Sequence, residues 1–314
     1  MKGKLKTTAK TYAKPLRWKR NELVQPFLKW AGGKRQLLSV LREFVPQEMK
    51  KNYYEPFIGA GALLFDLQPK QAVLNDFNSE LVNCYTCIKN EPEELIRLCT
   101  QLRSKHSEEH FYQLRQQDRD SDFNKRPAVQ RAARILYLNK TCFNGLFRVN
   151  SQGQFNVPFG DYANPLIADR SVIKAVSLYL NTAKVDIKCG DFKVAVKNAR
   201  KGDFIYFDPP YDPLSDTSSF TGYSLNSFNK HEQTRLKLTC DELSDRGCNV
   251  LISNSSTDFI KDLYSDSRYT IVEVQAKRAI NSVGAKRGKI TEVLIFNNYE
   301  RKGPGKGSSM GSLI

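Results

Sequence analysis

No stretch of this 314-residue chain stays apolar for long. The longest nearly apolar run, Phe57 to Phe65, has nine residues and two of them are glycine. A helix that crosses a bilayer needs about twenty, so a transmembrane helix is excluded. No apolar segment follows the basic N-terminus, so no secretory signal is expected. Histidine is scarce, with only His106, His110 and His231. Seven cysteines are scattered along the chain, and Cys84 with Cys87 make the only CxxC. Zinc needs four ligands in paired spacing, and no second pair exists, so no metal site is expected. Reduced cysteines packed as small apolar residues in a cytosolic protein are expected instead. Acids are missing from residues 1–20, and no internal repeat is present.

What remains is an ordinary globular composition with a strong excess of positive charge. Hydrophobic residues make up 40% and charged residues 26%, which is enough apolar content for a packed core. Forty-nine Lys and Arg against 33 Asp and Glu leave a net charge of +16. Eight of the cations (Lys2, Lys4, Lys6, Lys10, Lys14, Arg17, Lys19 and Arg20) fall in the acid-free start. Such a balance suits a polyanionic partner, and plain solubility is the rival explanation. No amphipathic basic helix or lipidation motif favours a membrane surface.

The order of elements points to an α/β fold. Residues 1–24 read as a basic, flexible arm. Gln36 to Val45 has helical apolar spacing and ends at Pro46. A short strand at 53–57 is broken by Gly59 and Gly61, a helix starts at Ala62, and a second strand ends at Asp76. Asn78 is placed to cap the next helix. Strand, glycine turn, helix, strand and acid form the first half of a doubly wound sheet. Residues 79–182 then carry helices near 79–89, 92–104, 107–118 and 127–142, and a hairpin signal over 143–162 around Ser151-Gln152-Gly153. This segment reads as a mostly helical domain inserted into a catalytic domain of residues 25–78 and 183–300. Strand character returns at 185–188, 204–207, 249–253, 269–274 and 292–296, with helices at 191–199, 229–245 and 256–264. The last two strands lack an intervening helix and are expected as an antiparallel edge hairpin. Residues 301–314 read as a disordered tail.

Four stretches carry chemistry. Asp208-Pro209-Pro210-Tyr211 follows the apolar strand FIYF, at the carboxyl end where α/β sheets bind ligands. A stiff proline turn fixes the Asp carboxylate and the Pro209 carbonyl as two acceptors, with the Tyr211 ring beside them. Two acceptors hold the two hydrogens of a planar amine and free its delocalised lone pair, which is catalysis by positioning and electrostatics. An ordinary proline-rich turn is the plain alternative. Phe57, Gly59 and Gly61 form a turn that a ligand can approach closely, and Asp76 can accept from ribose hydroxyls. Position 64 is Leu64, where a nicotinamide fingerprint has its third glycine. Trp30 and Lys34 flank Gly32-Gly33, an aromatic and a cation suited to a sulfonium and a carboxylate. Gly190-Asp191-Phe192 offers an acceptor and a ring after the third strand.

The segments QPFLKWAGGK, YEPFIGAGA, LNDFN, NGLFRVN…FNVPFG, CGDF and DPPY occur in this order. In that order they resemble the Dam-type adenine-N6 DNA methyltransferases (D12 class, group alpha), most of all modification methylases that protect GATC. The resemblance covers about residues 25–300. It implies a Rossmann-like, S-adenosyl-L-methionine-dependent methyltransferase sheet with an inserted, mostly helical DNA-recognition domain carrying a β-hairpin. It implies S-adenosylmethionine as donor and a flipped-out adenine of double-stranded DNA as acceptor. By the same resemblance, Trp30, Lys34, Phe57, Gly59, Gly61, Asp76, Asp191, Phe192 and Asp208 bind the cofactor, and Asp208, Pro209, Pro210 and Tyr211 form the catalytic motif.

The resemblance also assigns the insertion to target reading. Phe143 and Asn144 sit where the family wedges beside the flipped base. Leu146 and Pro158 suit thymine methyls, with hairpin core as the rival, and Arg148 suits a guanine edge. Asp161 and Ala163 depart from the basic residues common there, and the N-terminal arm is expected to supply the missing phosphate contacts. A basic loop, 277–289, is set to close over the DNA backbone or to be plain solvated surface. Phe220 and Tyr223 are candidates for the base pocket or for a surface turn. A restriction endonuclease acting separately is an expected partner, with a monomer or weak dimer in the cytoplasm and no membrane association. The alternatives are a methyltransferase for an RNA base or a protein glutamine, a non-catalytic DNA-binding protein on this fold, and a Rossmann dehydrogenase. Leu64 and the lack of a hydride-transfer partner disfavour the last.

Overall fold

The computed structural model describes residues 20–30, 32–47, 49, 51–214, 228–277 and 289–303. Phe220, Tyr223 and the 278–288 part of the basic loop lie outside them.

Seven strands make one sheet: β1 (Tyr53–Glu55), β2 (Gln71–Asp76), β3 (Lys184–Cys189), β4 (Phe204–Phe207), β5 (Asn249–Ser255), β6 (Thr270–Lys277) and β7 (Lys289–Phe296). Their order is β3-β2-β1-β4-β5-β7-β6. The first five are parallel, and β7 runs antiparallel to both β5 and β6. The expected edge hairpin is therefore present, with β7 inserted beside β5. The strand order reverses between β1 and β4, which opens a crevice outside their carboxyl ends. Tyr53 and Tyr54 of β1 face Phe204 and Ile205 of β4 in register.

Side chains alternate across the sheet with the strand period of two. Tyr53, Phe204, Tyr206 and Leu294 enter one apolar cluster. Tyr54, Ile205, Phe207 and Val293 enter the other. Both faces of the central strands are thus buried, which is why β4 reads as an unbroken apolar run. The second cluster is closed by α8 (Phe192–Ala195), α9 (Lys230–Asp245) and α10 (Asp258–Leu263).

The first cluster is closed by α1 (Leu38–Glu43), α2 (Ala62–Leu67) and the inserted helices. These are α3 (Ser79–Asn90), α4 (Pro92–Ser104), α5 (Glu108–Gln116), α6 (Ala128–Thr141) and α7 (Arg170–Thr182). Leu81, Leu95, Leu136 and Leu180 join the same apolar cluster as Leu63, Leu74 and Tyr206. Asn78 caps α3 by accepting from the Leu81 N–H at 3.0 Å. Between residues 162 and 183 no particular element is expected from the pattern, and α7 fills that stretch. Asp169 starts it by accepting from the Ser171 and Val172 N–H groups. Only Phe192–Ala195 of the expected 191–199 helix is helical, and the chain then turns to Asp203 through three-residue backbone bonds.

Both ends of the described chain are tied down. Arg20 pairs with buried Asp66 at 2.7 Å, and Val24 is buried. Arg301 bridges to Pro46, and the Lys302 N–H donates to the Val45 carbonyl. The ordered body therefore reaches past both expected limits, 24 and 301.

Candidate active site

The β1–β4 crevice receives residues from far apart in sequence. Its hollow is lined by Trp30, Lys34, Glu55, Gly59, Tyr206 and Asp208, among others. Gly59 and Gly61 turn the chain at φ +47° and +68°, where a side chain would be strained. A Cβ on Gly61 would lie 2.7 Å from the Tyr85 hydroxyl, which itself donates to the Gly59 carbonyl at 3.0 Å. Tyr85 of α3 thus fixes the glycine turn from the inserted segment.

Asp76, one strand over, accepts from the Gly59 N–H at 3.1 Å and the Asn78 N–H at 3.0 Å. Burial pushes its carboxyl above the usual range, against the pull of these N–H groups. The Phe77 N–H pulls on it as well, and three donors against four lone-pair sites leave one free. The exposed Phe77 ring stands next to it, and a Cβ on nearby Gly190 would meet open space.

Asp208 follows β4 directly. Its Oδ1 takes an ion pair from Lys34 Nζ at 2.9 Å and a hydrogen bond from Ser253 Oγ at 2.7 Å. Lys34 also donates to the Gly32 carbonyl at 2.6 Å, which leaves one of its three protons for a ligand. Among the described residues, Asp208 Oδ2 and the Pro209 carbonyl receive no donor. The rest of the proline turn is clamped. Gln233 donates to the Pro210 carbonyl at 2.9 Å, and Asn254 accepts from the Asp212 N–H at 3.1 Å. The Tyr211 hydroxyl donates to Glu292 of β7 at 2.8 Å, and Lys34 Nζ sits 4.6 Å from its ring centre.

Glu55 is buried in the crevice wall and accepts from the Tyr53 hydroxyl at 2.7 Å. Burial first, with repulsion from Asp208, pushes its carboxyl up to about 8, while the Tyr53 bond pulls the other way. It carries its proton at neutral pH.

Trp30 ties the crevice to the insertion. Its ring stacks on Phe147 of the hairpin segment, with centroids 4.8 Å apart and planes at 22°. One ring face is therefore taken, and its edge lies 3.0 Å from where a Gly59 Cβ would be. Asn139 of α6 locks the neighbouring Lys29 backbone with two bonds of 2.9 and 2.8 Å.

Asp191 and Phe192 stand outside this hollow, at the ends of β3 and α8. Asp191 caps α8 through the Lys193 N–H and pairs with Arg235 at 2.6 Å. Burial raises its carboxyl, but the Arg235 contacts outweigh that and hold it below the usual range. The Phe192 ring is buried against Phe57 and under the Arg235 guanidinium, 4.2 Å from its centre.

The hairpin segment turns at Ser151 to Gly153 with Asn150 accepting from the Gln152 and Gln154 N–H groups. It pairs only through isolated bridges, Val149 with Phe155 and Cys142 with Phe159. Phe147, Phe155 and Val157 point inward, while Arg148 and Pro158 are exposed. Leu146 is half-buried against the core. Arg148 is braced by Asn156, whose side-chain oxygen accepts from Nε at 2.8 Å. Phe143 and Asn144 are both exposed, and Asn144 holds φ +56°. Asp161 is exposed.

Sequence reading passes over Glu55, Phe77, Phe147, Gln233, Ser253, Asn254 and Glu292. The available signal was modest: buried-strand polar residues in NVLISNS, and an acid in the YEPF strand end.

A proline-clamped acid at a switch point, beside a glycine turn and an exposed hairpin segment, is the build of a nucleotide-directed group-transfer enzyme. The chain belongs to the D12 class N6 adenine-specific DNA methyltransferases, whose family model matches residues 30–280. It is 47% identical over 274 residues to the type II methyltransferase M1.LlaDCHI of Lactococcus lactis, covering 87% of this chain and 95% of that one. It is 43% identical to the type II methyltransferase M.MjaIII of Methanocaldococcus jannaschii, over 87% of this chain and 99% of that one. The DNA adenine methylase of Escherichia coli K12 is 34% identical, over 86% and 94%. The protein is an adenine-specific DNA methyltransferase. Among the described residues no helix is long and apolar enough to cross a membrane.

Proposed function

We propose that this methyltransferase uses S-adenosylmethionine to modify adenine in GATC, acting on a base flipped out of duplex DNA. When bound, the cofactor supplies an electrophilic methyl carried on a sulfonium. The residues present fit it. Lys34 keeps one proton for a carboxylate, Asp76 keeps a lone pair for a ribose hydroxyl, and Phe77 with the open space over Gly190 suits an adenine ring. Trp30 presents its edge and one face rather than an open ring. Asp191 acts through its cap and its Arg235 pair, with Phe192 as the buried floor.

The observation that carries the reaction geometry is the pair of donor-free acceptors, Asp208 Oδ2 and the Pro209 carbonyl, on one clamped turn. They accept the two hydrogens of the exocyclic amine while Tyr211, held by Glu292, packs the base. The nitrogen lone pair is thereby released toward the methyl, and Pro210 serves by stiffening the turn. Phe143 and Asn144 fill the gap left by the flipped base. Arg148 reads guanine, and Leu146 and Pro158 meet thymine methyls. The inserted segment 79–182 serves as the target-reading unit. The enzyme works in the cytoplasm as a monomer or weak dimer, with a separately acting restriction endonuclease as its counterpart. Incubating the enzyme and cofactor with a plasmid and mapping modified adenines tests the target. Modification confined to GATC is expected, and modification of any other site overturns that specificity.

A further inference from the structure

β5 ends in polar residues that are wholly buried, Ser253 and Asn254 among them. Parallel register sets Phe207 beside Ile252, so Ser253 comes level with Asp208 on the next strand. The Ser253 hydroxyl meets three groups: Asp208 Oδ1 at 2.7 Å, the Tyr206 hydroxyl at 3.0 Å and the hydroxyl of Tyr211, whose own proton goes to Glu292. A serine hydroxyl has one proton to give. The carboxylate, paired with the Lys34 ammonium, accepts it. Tyr206 must then donate to Ser253, and burial keeps its phenol protonated far above the ordinary range. The relay therefore has one direction, Tyr206 to Ser253 to Asp208.

Lys34 reaches the same Oδ1. A carboxylate on a freely turning bond offers either oxygen to a ligand, but two donors on one oxygen stop that rotation. Lysine alone is a poor clamp because its stem is flexible. Ser253 is rooted in a central strand and has little freedom to move. We infer that Ser253 is a positioning residue for methyl transfer, pinning Oδ1 so that Oδ2 and the Pro209 carbonyl stand as the two acceptors for the amine. The inference rests on the acceptor role proposed for Asp208. Glu55 and Tyr53 from β1, Tyr211 from the proline turn, and Glu292 from β7 are the other titratable groups described around this cluster.

The test is steady-state methylation with Ser253→Ala, Ser253→Thr, Tyr206→Phe and Asp208→Ala, each checked for folding by thermal unfolding. Ser253→Ala is expected to lower kcat by about 10–100-fold, the scale of an ångström of misplacement, with KM for the methyl donor little changed. Ser253→Thr keeps the hydroxyl and should recover most of that loss. Tyr206→Phe leaves the Ser253 bond in place and should lower kcat by less. A parent-like kcat in Ser253→Ala, or a folded Ser253→Thr enzyme no faster than Ser253→Ala, overturns the inference. If Ser253→Ala does not fold, a parent-like kcat in Tyr206→Phe overturns it instead. Asp208→Ala separates the two layers: an active Asp208→Ala enzyme sinks the acceptor role itself, whereas an inactive one beside a parent-like Ser253→Ala sinks only the positioning role.

Discussion

Glu55 shows how much a single residue in this crevice costs. A carboxyl at the end of a buried strand pairs with no cation among the described residues, and the Tyr53 hydroxyl and the Leu64 N–H are what serve it. Burial lifts its pKa from the ordinary 4.5 to about 8, so the folded protein holds a proton that the unfolded chain releases. The resulting contribution to stability is full below about pH 4.5 and is lost as pH rises toward 8, at up to about 1.4 kcal/mol per pH unit. Glu55→Gln keeps the shape without the titration. Urea unfolding between pH 5 and 8 should therefore give a flatter stability profile for Glu55→Gln than for the parent. Parallel profiles would mean that Glu55 ionises normally. Asp208 and Tyr211 were plain in the sequence as part of a rare tetrapeptide. Ser253, Gln233 and Glu292 were not, because they reach that tetrapeptide from 45, 23 and 81 residues away. Only the sheet order brings them there.

At the scale of elements, local chemistry and tertiary packing divide the outcome. The apolar runs of β4 and β5 and the Asn78 cap of α3 follow from residues within a few positions, and the sequence displays them. α7 has apolar spacing too (Val172, Ile173, Val176, Leu180), yet its start depends on Asp169 inside an irregular stretch, and it is missed. The short α8 goes the other way: a helix is expected over 191–199, but the chain leaves it after Ala195 to reach β4. The hairpin segment is the element with the most direct consequence for specificity. Its alternation puts Phe147 and Phe155 under the turn and leaves Arg148 outside, held by Asn156. Arg148→Ala should relax discrimination at one base pair by about 1–3 kcal/mol while leaving activity on the preferred site measurable. Ratios of kcat/KM on duplexes with that pair exchanged report it, and unchanged ratios would remove Arg148 from base reading.

Across the whole molecule, the helices of residues 79–182 and the seven-stranded sheet are packed as one. A continuous apolar cluster runs from the inserted helices into the sheet, and the Trp30–Phe147 stack joins the hairpin to the methyl-transfer crevice. Strand spacing and motif order were enough to identify the fold class, since each motif lies in contiguous residues. The shared core was hidden, because helical periodicity states which face of a helix is buried but not against what. The +16 charge then supplies DNA affinity that does not depend on the reacting residues. Chemistry and binding should accordingly separate in a single comparison: single-turnover methylation and DNA binding of Asp208→Ala beside the parent enzyme. Methyl transfer is expected to disappear while DNA affinity stays within a few fold. An Asp208→Ala enzyme that folds and still methylates adenine at the parent rate would contradict the account at its centre.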